Sequence, residues 1–126
     1  MQGLEELAVE PQVSEDRFKA LAAQCQSGLE RDVLAAIRDR GLPLPDEAQK
    51  TVYDGDVPLA TADFFYAPRI LLFVDGSPHY RDYVHAADQR KRRRLKALGY
   101  RILAIAGDGL EEALAKLGEW LGLRVA

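Results

Sequence analysis

Thr61-Ala62-Asp63-Phe64-Phe65-Tyr66-Ala67-Pro68-Arg69-Ile70-Leu71-Leu72-Phe73-Val74-Asp75-Gly76-Ser77-Pro78-His79 is the stretch on which the reading of this chain turns. Two apolar runs rich in aromatic and β-branched residues flank a short Ala-Pro-Arg break, which is the pattern of a β-hairpin. A turn centred on Pro68 sets Tyr66 opposite Ile70 and Asp63 opposite Phe73. Side chains alternate along a strand, so Asp63, Phe65, Leu71, Phe73 and Asp75 are expected on one face. Asp63 and Asp75 become diagonal neighbours, about 7–8 Å apart or less. Two carboxylates on an otherwise apolar face are costly unless hydrogen bonds or a cation satisfy them. A divalent metal is the simplest occupant, and metal with phosphate is the simplest chemistry.

Outward from the hairpin, the chain has the size of one domain, at 126 residues. No apolar run is long enough to span a membrane, and no secretory pattern is present. The single Cys25 excludes an intrachain disulfide and a multi-cysteine zinc site, which fits a cytoplasmic setting. The formal net charge is −3, so the chain as a whole does not advertise nucleic-acid binding. Its charge is unevenly spread, however. Arg90, Lys91, Arg92, Arg93, Arg94, Lys96 and Arg101 crowd one region. Such a stripe either holds a phosphate backbone or is a solvated helix face.

Residues 1–12 are weakly patterned and read as a tail or linker, with 13–126 as one domain. Ser14 is positioned to cap a helix over Glu15 to Cys25. Ser27-Gly28-Leu29-Glu30 has the spacing of a capping box and opens a second helix that Gly41 ends. Ala48 to Tyr53 reads as a strand with a turn at Asp54-Gly55. Further strands are expected over Ala60 to Tyr66 and Ile70 to Asp75. A helix carrying the basic stripe is expected from Tyr83 to Leu98, stopped by Gly99. The nearly all-apolar run Tyr100 to Ala106 predicts a strand buried on both faces. An amphipathic helix follows Gly109. The first three strands can form a meander, and the helical crossover before the fourth predicts parallel pairing. The fold class is therefore α/β, an αβα sandwich around a mixed four-stranded sheet.

Several short motifs in this order resemble the PD-(D/E)XK restriction-endonuclease-like superfamily, over roughly Ser27 to Ile105. Phe73-Val74-Asp75-Gly76 with His79 is similar to the very-short-patch mismatch-repair endonuclease branch. Ser27-Gly28-Leu29-Glu30, Ala62-Asp63-Phe64, Val74-Asp75-Gly76-Ser77-Pro78-His79, Asp88-Gln89-Arg90-Lys91 and Leu95-Lys96-Ala97-Leu98-Gly99-Tyr100 resemble a group of small restriction-endonuclease-like proteins. Phe73 stands where most of the superfamily has its second metal-binding acid, and Asp75 where the wider superfamily often has Lys.

The resemblance implies a metal-dependent DNA endonuclease using magnesium or manganese. Asp63 and the Val74 carbonyl would hold the ion, with Asp75 as a further ligand, directly or through water. Asp75 can equally serve the Asp-Gly turn, and Asp63 can equally bond backbone at a strand end. The resemblance implies that Glu30 reaches the metal through water, beside its capping role. His79, after the Gly-Ser-Pro break, would protonate the leaving oxygen or bind the scissile phosphate; an exposed loop His is the alternative. Lys91, Arg94 and Arg90 would bind DNA phosphates. Gln49 matches a Gln common in the resembling proteins, with a surface role as the alternative. Phe73 in place of the acid raises a second possibility: a catalytically degenerate domain that binds DNA or a partner. A third arrangement is a terminal domain of a larger DNA-processing protein, such as a helicase fusion.

Overall fold

The structure is a computed structural model that describes residues 15–74 and 89–122. It is α/β, with helices and a mixed four-stranded sheet, and divides into two compact units between Leu44 and Pro45. Each unit follows from its own sequence. The expected tail, 1–12, lies outside the described residues.

The first unit holds helix α1 over residues 15–24 and helix α2, Gly28–Asp39. The α2 start is the capping box. Ser27 has extended backbone, and its hydroxyl accepts from the Glu30 N–H at 3.1 Å. The Glu30 carboxylate in turn accepts from the Ser27 hydroxyl and from the Gln26 N–H, both at 3.1 Å. Helix-end amides that have no intrahelical partner are thereby satisfied. Val33, Leu34 and Ile37 recur at helical spacing and are buried. Leu29 and Ala36, at similar spacing, are only half-buried, and Leu34 is fully buried. The helix ends where Gly41 adopts a φ of 73°. There the Gly41 N–H reaches Arg38 O and the Leu42 N–H reaches Ile37 O, the paired bonds of a Schellman motif. Leu21 of α1 and Cys25 just after it are buried, and Arg38 of α2 lies over the Phe18 ring at 4.1 Å.

In the second unit the strands are β1 (Glu47–Asp54), β2 (Val57–Tyr66), β3 (Ile70–Val74) and β4 (Arg101–Ile105), in spatial order β1-β2-β3-β4. The β1–β2 and β2–β3 pairs are antiparallel and β3–β4 is parallel, as the meander and crossover predict. The β2–β3 register is the expected one: Tyr66 opposite Ile70, Phe65 opposite Leu71. β2 begins at Val57 rather than Ala60. Pro58 is tolerated within it because it faces Tyr53 beside a register shift between Val52 and Tyr53.

Helix α3 (89–97) and helix α4 (Leu110–Trp120) complete the unit. Leu95 of α3 is fully buried in a cluster with Val52, Ala62, Phe65 and Leu71, and Phe73, Tyr100 and Ile102 pack at its margin. Gly99, at φ 100°, closes α3 by the same paired bonds as Gly41, from Gly99 to Lys96 O and from Tyr100 to Leu95 O. α4 packs by β4, burying Ala113, Leu114 and Leu117. One expectation fails here. β4 is not buried on both faces: Leu103 and Ile105 are buried, but Ala104 and Arg101 are exposed. Among the described residues its strand neighbour is β3 alone, so its apolar run marks an edge rather than the sheet centre.

Ser27→Ala is expected to destabilise the protein by about 1 kcal/mol, the usual worth of a serine N-cap, and Ser27→Gly by only a few tenths. Urea denaturation with unchanged m-values checks the ordering; equal stability of the alanine variant and wild type would contradict it.

Candidate functional site

The candidate site lies on one line across the sheet. Ala48 pairs with Phe64 and Lys50 with Ala62, so Gln49 stands across from Asp63. The β2–β3 ladder ends at Phe64 opposite Leu72, one step before Asp63 and Phe73. Phe73 pairs with Ala104 of β4. The line therefore runs Gln49, Asp63, Phe73, Ala104.

Backbone regularity breaks on this line in both hairpin strands. Gln49 has a φ of 53°, and it is the only non-glycine residue with a positive φ among the described residues. On β2, Ala62 and Phe65 are three apart yet belong to one cluster around Leu95, so strict alternation is lost between them. The Lys50 ammonium sits 5.2 Å from the centre of the Phe65 ring, which places Lys50 on the same side. Asp63 is bound up with this break. Its Oδ2 accepts from the Val74 N–H at 2.6 Å. A carboxylate thus takes the donor that β3 presents where its ladder with β2 has stopped. The hydrogen bond fixes the carboxylate beside the Val74 backbone.

Asp63 is half-buried. Its expected partner Asp75, and His79, lie outside the described residues. Val74 is described through its N–H, held by Asp63. Glu30 belongs to the first unit, where both of its carboxylate oxygens serve the α2 capping box; it is 8% exposed. Among the described residues no three His, Cys, Asp or Glu side chains gather into a group able to hold a metal. Asp63 is thus the only carboxylate of the expected ligand set described on this line.

Phe73 packs against the Leu95 cluster, with the Arg92 guanidinium 5.6 Å from its ring centre. Arg92 and Leu95 are three apart and point the same way, which fixes the rotation of α3. Among the basic residues described on α3, the one that reaches Phe73 is therefore Arg92, not Lys91 or Arg94. Its signal in the sequence was the spacing to Leu95. Arg90 and Lys91 are exposed on α3. Arg94 forms a two-pronged ion pair with Asp54 of the β1–β2 turn, Nε to Oδ2 at 2.7 Å and Nη2 to Oδ1 at 3.0 Å. That pair was not foreseen. It holds the Asp54 carboxyl below the usual range and raises the Arg94 guanidinium, in each case chiefly through the hydrogen bonds between them.

Compared with family models, curated proteins and solved structures, the chain matches none. Among the described residues no helix is long and apolar enough to cross a membrane.

Two predictions follow from these bonds. Asp63→Ala removes an acceptor and strands the Val74 N–H, a loss of about 1–3 kcal/mol, so the truncation is not structurally innocent. Asp63→Asn keeps a carbonyl oxygen for that N–H and is expected to melt close to wild type. Equal melting of the alanine variant and wild type would show that the bond does not matter. For Asp54 the folded-state pKa lies below the unfolded one. The Arg94 pair therefore contributes its stability above the ordinary aspartate range, about 3.9, and loses it as pH falls through the lowered folded value. The Tm difference between wild type and Asp54→Asn is expected to be constant near neutrality and to shrink below about pH 4. A difference that grows on acidification contradicts the assignment.

Proposed function

We propose that this chain is a metal-dependent DNA endonuclease domain that uses magnesium or manganese for phosphodiester hydrolysis. The finer fold, a restriction-endonuclease-like αβα sandwich, is part of the same reading. An antiparallel meander followed by a parallel fourth strand supports it. The observation that carries the proposal is Asp63: a half-buried carboxylate, held beside the Val74 backbone, on a line where two strands lose their regularity. Functional residues collect where a scaffold departs from its repeat. A magnesium ion needs one or two protein carboxylates and completes its shell with water and phosphate. Asp63 and the Val74 carbonyl would hold the ion, with Asp75 completing the set. Bound metal would polarise the phosphate and supply hydroxide from its water. Arg90 and Lys91, exposed on α3, would meet DNA phosphates, Arg92 would approach the site itself, and His79 would serve the leaving oxygen or the phosphate. Arg94 would join them only by leaving Asp54. A cytoplasmic setting, and a place within a larger DNA-processing protein, belong to the same proposal.

A second reading is favoured by one observation. Phe73 occupies the place of the superfamily's second acid and is packed against the Leu95 cluster. A domain that binds DNA without cutting it would tolerate that exchange.

The test is nicking of supercoiled plasmid with magnesium or manganese, comparing wild type with Asp63→Asn. Wild type is expected to cut, and the variant to lose at least a hundredfold while melting near wild type; metal-ion catalysis is worth several kcal/mol of transition-state stabilisation. Cleavage that survives the substitution sinks the assignment. Binding without cleavage by both proteins selects the second reading.

A further inference from the structure

We infer that the Asp54–Arg94 fork is an autoinhibitory contact, in which the Asp54 carboxylate occupies the guanidinium edge that would otherwise take a phosphate of the DNA backbone. The inference rests on the DNA-binding part of the reading above and adds a control element to it. Geometry supplies the first step. Arg94 offers Nε and Nη2 side by side, and Asp54 meets them with both of its oxygens, at 2.7 and 3.0 Å. Two parallel N–H···O bonds from one planar edge are also how arginine grips a phosphodiester. The turn carboxylate thus copies the ligand and takes the donors that the ligand needs.

Position supplies the second step. Arg94 follows Arg90 by four residues and Lys91 by three, so the three exposed side chains are neighbours on the surface of α3. A phosphate backbone held by Arg90 and Lys91 therefore lies next to Arg94, whose forked edge is already filled. Strength supplies the third. The Arg94 and Asp54 side chains are 50% and 36% exposed. An ion pair so open to water is weak and is screened by salt. Tethering to the hairpin lets the Asp54 carboxylate outcompete a lone anion in solution. A polyanion gripped at the same time by the neighbouring cations has the same advantage and can displace it.

Asp54→Asn and Asp56→Asn separate a competing contact from general repulsion of DNA. Each removes one negative charge from the same β1–β2 turn, but only the first opens the fork. Affinity for duplex DNA is read by fluorescence anisotropy over a range of salt, with calcium in place of magnesium. Asp54→Asn stays folded, because exposed ion pairs add little stability. It is expected to bind about tenfold tighter, the usual effect of gaining a hydrogen bond to a charged group. Its log–log salt slope is expected to steepen by about 0.9, the mark of one added phosphate contact. Asp56→Asn is expected to gain at most about threefold, with the slope unchanged, since no phosphate contact is added. In an Arg94→Ala background, Asp54→Asn is expected to gain no more than Asp56→Asn does. A fork that only fastens the hairpin to α3 predicts equal or weaker binding by Asp54→Asn, and that result overturns the inference while leaving the DNA reading standing. A gain that persists without Arg94, or that Asp56→Asn matches in size and slope, overturns it in the same way. If neither wild type nor Asp54→Asn binds DNA, the DNA reading fails first, and this inference with it.

Discussion

A single backbone amide, the N–H of Val74, constrains the centre of this sheet. It belongs to β3, yet the ladder to β2 ends at Leu72, two residues before that donor. A half-buried N–H without a partner is costly, so something must accept it. Asp63 does, through its side chain. This substitution of carboxylate for ladder carbonyl has two effects. It lets β2 and β3 part without an orphaned donor. It also pins an acid at the point of parting. Gln49 across the hairpin, the lost alternation at Ala62 and Phe65, and the packing of Phe73 under α3 all lie next to that event.

The consequence for the proposed chemistry is that structure and function share one residue. Asp63 holds the strand and would hold the ion, so no substitution there is purely functional. Asparagine is the informative change because it separates charge from hydrogen bonding. Glu30 has a structural role within the first unit, where its carboxylate closes a helix cap through Ser27 and Gln26.

What could be read from the residues was local. The hairpin register followed from the Pro68 break and the two runs beside it, and the α2 limits followed from Ser27 and Gly41, whose side-chain and backbone chemistry act within a few positions. Of the two roles expected for Asp63, the bond to backbone is present, made to the Val74 N–H. The rest depended on distance. The rotation of α3 is set by one apolar residue, Leu95, on a helix that is charged almost all round, so the sequence does not fix which basic side chain lies over Phe73; in the structure it is Arg92. Whether β4 is interior or edge depends on strand order, which its apolar run does not encode. The left-handed Gln49 has no composition signature, because glutamine is not a residue of turns.

The Asp54–Arg94 pair joins residues 40 apart in sequence. Its consequence is for the order of assembly. The β1–β2–β3 meander closes through short turns and can form early, since short loops cost little entropy to close. The parallel β3–β4 pairing and the docking of α3 must wait for a much longer loop to close. Arg94 can meet Asp54 only after both the hairpin and the helix are in place. A contact made after the folding transition state is felt in how slowly the native protein opens rather than in how fast it forms. If the Asp54–Arg94 fork forms that late, it acts as a latch on unfolding.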